Sequence, residues 1–126
     1  MAYSTNSAAG KAIEAIINDL PGLLAVAVVD VTSGMALASH SNSPSLNPET
    51  AAAYNTEVVK QKQKAMSALK LTNESIEDIL ITLTNQLHLL KLNSAGNKFI
   101  YLAVNSRETN LAIAREVLRS HVDQIS

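Results

Sequence analysis

The chain has 126 residues, a length that fits one domain, and a domain of that size buries about two thirds of the surface its unfolded chain exposes. Ten Lys and Arg against eleven Asp and Glu leave a formal net charge of −1, without the basic excess that duplex binding draws on, so no nucleic-acid partner is expected. The absence of cysteine removes disulfides, thiolate nucleophiles and most zinc-site patterns, and agrees with a reducing, cytoplasmic setting.

Apolar residues make up 47% of the chain, an ordinary globular share. They are mainly Ala, Leu, Ile and Val. Phe99 and three Tyr are the only aromatics, which weakens any case for base stacking or a carbohydrate platform. Met1 to Asn6 contains no basic stretch followed by an apolar run, so no signal peptide is expected. The longest apolar run, Leu23 to Val29, falls far below the roughly 20 residues of a membrane helix, and no membrane insertion is expected.

From Ser4 to Leu20, Ala9, Ala12, Ile13, Ile16, Ile17 and Leu20 recur at helical spacing, and Pro21-Gly22 ends the helix. Leu23 to Val31 is apolar on both alternating sets, the pattern of a strand covered on both faces. Thr32-Ser33-Gly34 supplies a turn, and Met35 to Ser41 returns as a second strand whose polar end suits a sheet edge. Asn47-Pro48-Glu49 is a helix start, with Asn as N-cap and Pro at the first helical position. That helix is expected to run to about Leu71. Its middle, Lys60-Gln61-Lys62-Gln63-Lys64, is polar throughout. Ile76 to Thr84, Gln86 to Asn93 and Phe99 to Asn105 read as three strands joined by short turns, an antiparallel meander. Ser106 is expected to cap the last helix, with Leu111, Ala114, Val117, Leu118 and Val122 as its apolar stripe.

The expected class is therefore α+β, in the order helix-β-β-helix-β-β-β-helix, as one domain over residues 1–126 with a core from about 8 to 122. No internal repeat or low-complexity segment occurs.

Little in the chain points to catalysis. His40, His88 and His121 fall in separate elements without a second ligand at i+3 or i+4, so no metal is expected. His88, between Leu87 and Leu89, reads as a hydrogen-bonded structural or interface histidine. No Gly-x-Ser-x-Gly elbow singles out a serine. Glu77 and Asp78 are adjacent in a strand-like segment, would point to opposite faces, and read as charges that discourage unwanted pairing. The four glycines are scattered and form no phosphate loop, so no cofactor is expected. Lys60 to Lys64 is either a solvated helix face or a polar surface offered to a partner protein.

The third strand carries a stronger physical argument. If the two hairpin systems join through the first and last strands, Met35–Ser41 and Ile76–Thr84 become the sheet edges. The second contains Ile76, Ile79, Leu80, Ile81 and Leu83 with no Pro or Lys to blunt it. Such an edge is a liability unless it is covered or paired. Pairing with its own copy about a two-fold axis closes it, so a homodimer is expected.

Three stretches, in order, resemble the roadblock family, named for dynein-associated light chains and common in bacteria and archaea. Leu23 to Ser39 is similar to the family's first hairpin, Glu77 to Leu90 to its second, and Asn110 to Arg115 to the start of its last helix. The resemblance covers roughly Ala8 to Val122. It implies a roadblock, profilin-like fold: a five-stranded antiparallel sheet with the first and last helices on one face and the long helix on the other. It also implies homodimers built through the third strand and the long helix, which adds Tyr54 and Val58 to the interface. Lys60, Gln61, Lys62 and Lys64 become candidates for the partner-binding surface. Family members bind small Ras-like GTPases as activators or scaffolds, or serve as adaptors in motor and signalling complexes. Only Arg107, Arg115 and Arg119 could act as an arginine finger, and all lie on or beside the last helix, away from the long-helix face. A small-molecule sensory domain of similar layout is the third reading.

Overall fold

The computed structural model describes residues 3–126. Helix α1 (Ala8–Asp19) is followed by β1 (Leu23–Asp30), β2 (Ala36–Ser41), the long helix α2 (Pro48–Ala68), β3 (Ile79–Thr82), β4 (Gln86–Leu92), β5 (Lys98–Asn105) and α3 (Leu111–His121), with a closing 3-10 turn at Val122–Ile125. The strands form one antiparallel sheet in the order β2-β1-β5-β4-β3. The two hairpin systems therefore join through β1 and β5, leaving β2 and β3 as edges.

β1 is covered on both faces, as its sequence requires. Val26 and Val28 face a core shared with Ile13 and Ile16 of α1 and with Ala114 and Leu118 of α3. Ala25, Ala27 and Val29 face a second core that includes Ala52 and Val59 of α2. Helices thus lie on both sides of the sheet, α1 and α3 on one and α2 on the other. The resemblance implied this arrangement.

Local chemistry explains the element ends. Ser7 caps α1 by accepting from the Gly10 N–H at 2.9 Å. Gly10 also has no room for a side chain, because a Cβ there would sit 1.6 Å from the Ser4 carbonyl oxygen. Asp30 holds the β1–β2 turn by accepting from the Ser33 N–H at 2.9 Å and its hydroxyl at 2.8 Å, and these bonds hold its carboxyl below the usual range. Gly34 completes the turn at φ +74°, where a Cβ is disfavoured. Asn47 caps α2 through the N–H groups of Glu49 and Thr50, with Pro48 as the first helical residue.

Four expectations are corrected. α1 begins at Ala8, not Ser4. α2 stops at Ala68, because Lys70 turns left-handed at φ 59° while Leu71 N–H donates to Met66 O and Lys70 N–H to Ser67 O. This is a Schellman ending built without its usual glycine. The third strand is four residues long rather than nine, because the chain leaving Leu71 reaches the edge of β4 only at Ile79. Ile76 and Leu83 accordingly lie outside β3. Finally, Asn110 and not Ser106 caps α3, accepting from the Ile113 N–H at 2.9 Å. Residues 105–109 form a turn in which Asn105 O accepts from Glu108 and Thr109, while Ser106 N–H donates to Asn85 O.

Candidate interaction surface

Among the described residues β3 pairs with β4 alone, through Ile79↔Leu90, Leu80↔Leu89, Ile81↔His88 and Thr82↔Leu87. Leu83 N–H donates to Gln86 O at 2.9 Å, which sets the alternation. Ile79, Ile81 and Leu83 turn their main-chain groups toward β4, and Leu80 and Thr82 turn theirs outward. Side chains alternate with the same period, so the residues bonded to β4 share one face. Leu80 packs against the core beneath α1 and α3. Ile79 and the preceding Ile76 pack against the core beneath α2, and Ile81 shares their face by its spacing.

All three β3 apolar residues are half-buried, and Leu83 at the adjoining turn is 45% exposed. The strand bears no charge of its own. The charge just before it is occupied, for the Arg115 Nε and Nη2 donate to the two Asp78 carboxylate oxygens at 2.8 and 3.0 Å. Asp78 is therefore an anchor between α3 and the entry to β3, a role that sequence spacing gave no means of seeing. Its carboxylate holds the Arg115 guanidinium above its usual value.

α2 buries Pro48, Ala52, Thr56 and Val59. Its opposite side carries Tyr54 at 74% and Val58 at 38% exposure, four residues apart and hence one above the other. Glu57, Val58, Gln61, Lys62 and Ala65 line a shallow, almost wholly apolar depression farther along. Lys60, Gln61, Lys62 and Lys64 are all exposed, but Lys60 is tethered, donating from Nζ to Thr32 O at 3.3 Å. The polar stretch is therefore split between the β1–β2 turn and open solvent.

Between α2 and the β3 edge lies His88, half-buried, on the α2 side of the sheet. Its Nε2 is 2.7 Å from Gln86 Oε1 and its Nδ1 is 3.3 Å from the Tyr101 hydroxyl. Burial pushes the imidazole below its usual range and the Tyr101 phenol up to about 12. A separate recess of about 490 Å³ opens at the other end of the sheet, where Met66, Leu71, Ile76, Lys91, Leu92 and Val122 contribute to its wall.

Among the described residues no three His, Asp or Glu side chains cluster as metal ligands, and no helix is long and apolar enough to cross a membrane. Of the three arginines, Arg115 is held by Asp78, Arg119 contacts Glu116, and Arg107 reaches Asn85 at 3.5 Å.

A five-stranded antiparallel sheet in this order, with two helices on one face and one long helix on the other, is the roadblock fold. Among solved structures, the Roadblock/LC7 domain from Streptomyces avermitilis superimposes with a TM-score of 0.75 at 10% identity, covering 91% of this chain and 92% of that one. MglB of Myxococcus xanthus gives 0.73 at 14% identity, over 97% and 86%. An MglB in a tetrameric arrangement gives 0.74 at 17%, over 98% and 90%. At these identities the likeness is one of fold. No protein-family model matches the sequence, and no curated protein matches it significantly.

Proposed function

We propose that this chain is a roadblock-family protein that works as a homodimer without catalytic side chains and binds and regulates a small Ras-like GTPase. The observations that carry the reading are the uncharged open edge of β3 and, separately, the exposed Tyr54 and Val58 on the outward side of α2. Two β3 strands pairing about a two-fold axis satisfy the outward groups of Leu80 and Thr82. A four-residue strand spans only about 13 Å, whereas stable interfaces bury about 1,200–2,000 Å² in total. The long helix is needed to supply the remainder, and Tyr54 is the kind of aromatic anchor such interfaces use. The fold shared with an MglB in a tetrameric arrangement supports self-association.

The GTPase part of the reading rests on the sequence resemblance and on the likeness to the MglB fold. Binding energy that favours one conformation of the partner regulates it without a catalytic group. The exposed Gln61, Lys62 and Lys64 are the candidate contacts.

Calorimetric titration against GTP-loaded and GDP-loaded small GTPases of the same cell tests the proposal, with preference for one nucleotide state as the expected result. Equal or absent binding to both forms of every candidate overturns it. Capture of motor or signalling components without a GTPase would favour the adaptor reading of the same fold. The recess beside Met66 and Leu92 keeps a small-molecule sensor in view, to be checked by native mass spectrometry for a retained ligand.

A further inference from the structure

We propose that His88 makes self-association of this protein pH-dependent, the dimer loosening as the imidazole becomes charged. The inference rests on the dimer reading above and adds that the second copy's long helix closes over the face of β4 beside the β3 edge.

The placement of His88 follows from the ladder. It is the cross-strand neighbour of Ile81 on the edge strand and of Ala103 on β5. By the period of two it shares a face with Leu90, which belongs to the core beneath α2. Its ring meets that of Tyr101 edge-on, centroids 5.6 Å apart at 72°. Of these neighbours, Tyr101 is fully buried and Ile81 only half-buried, so His88 sits where the covered part of this face gives way to the open part.

The hydrogen bonds select the neutral ring. Gln86 Oε1 can only accept, so Nε2 carries the proton and donates to it. Nδ1 is then the acceptor for the Tyr101 O–H. Adding a proton at Nδ1 makes that nitrogen a donor, so the Tyr101 hydroxyl hydrogen must turn off it and give up this acceptor. Among the described residues no charge stands by to offset the imidazolium. The groups facing it are Ile81 from β3, Gln86 from β4, and Ala103 and Tyr101 from β5, and only the last is titratable. Burial alone accounts for the lowered value of this imidazole.

Closing a second copy over His88 removes more water from the ring and disfavours its charged form further. The open protomer therefore binds protons more readily than the dimer. By linkage, the dissociation constant is insensitive to this group at alkaline pH and rises as pH falls through the protomer's imidazole range. With one His88 per protomer the limiting rise is about 100-fold per pH unit, and a rise of about tenfold or more between pH 7.5 and 5.5 is expected.

The test is sedimentation over a micromolar concentration series at pH 7.5 and 5.5, with circular dichroism confirming the fold at each pH. Wild type is compared with His88→Gln and with the control His40→Gln/His121→Gln. A rise of tenfold or more that disappears in His88→Gln and persists in the control supports the proposal. Tyr101→Phe, which frees Nδ1, should shift the transition toward higher pH and provides a second reading if His88→Gln folds poorly. A dimer whose dissociation constant moves less than threefold, or moves equally in His88→Gln, overturns the switch and leaves the dimer standing. A monomer at every pH and concentration overturns both.

Discussion

Arg115 of α3 grips Asp78, 37 positions earlier in the chain, with two hydrogen bonds that fix the strand entering the open edge of the sheet. Because the guanidinium matches both carboxylate oxygens, lysine is a poor substitute. The pair is partly exposed, so its removal should leave the thermal midpoint nearly unchanged. Its effect belongs to the position of β3. Arg115→Lys and Asp78→Asn should each weaken the dimer while barely shifting the melting curve, as read by sedimentation alongside calorimetry. A large fall in the melting temperature with unchanged association would contradict this division.

The exposed aromatic on α2 gives a second prediction. Tyr54 contributes almost nothing to the core of the protomer, being 74% exposed. If it anchors the interface, Tyr54→Ala should cost roughly 2 kcal/mol of association, or about 30-fold in the dissociation constant. Ile81→Lys should abolish dimers by placing a charge on the edge strand. Light scattering would report the halved mass, and normal circular dichroism would exclude unfolding.

Lys70 pays a conformational penalty at φ 59° that a glycine would avoid. Lys70→Gly should therefore stabilise the protein, by about 1 kcal/mol before the greater freedom of the unfolded glycine chain is subtracted. Urea unfolding measures the net change, and destabilisation would show that the lysine makes a compensating contact.

The start of α3 separates two possible caps. Asn110 accepts from the Ile113 N–H, so Asn110→Ala should cost about 1 kcal/mol in urea unfolding. Ser106→Ala, in the preceding turn, should cost distinctly less. The reverse order would place the helix start where sequence spacing alone expects it.

Tyr101 gives a pH prediction at the alkaline end. Its phenol is raised from 10.0 to about 12 by burial. A raised value means that the unfolded chain loses this proton first. The contribution to stability is thus present below pH 10 and lost as pH rises toward about 12. Ultraviolet titration should show a late phenolate step that Tyr101→Phe removes, and removal by Tyr101→Phe of absorbance that develops near pH 10 would refute it.

Much of the fold is legible in local chemistry. The doubly apolar run from Leu23 to Val31 required cover on both faces, and Asn47-Pro48 marked the start of α2 through one side chain and one fixed dihedral. The ends that were misplaced have a common cause. Lys70 ends a helix without the glycine that advertises such a turn, and Ser106 is drawn from its expected cap by a turn organised around Asn105. The edge strand looked nine residues long because apolar composition does not record where a chain arrives beside its neighbour. Only four residues reach β4.

What sequence by itself determined is the order of elements, the two-sided burial of the sheet, and the lack of Pro or Lys along one edge, since each depends on residues near one another in the chain. What tertiary structure alone decided is which groups meet: Arg115 with Asp78, His88 with Tyr101, and Lys60 with the carbonyl of Thr32. Those pairings depend on strand register and helix placement, set by packing of the whole core, and no short stretch of chain contains that information.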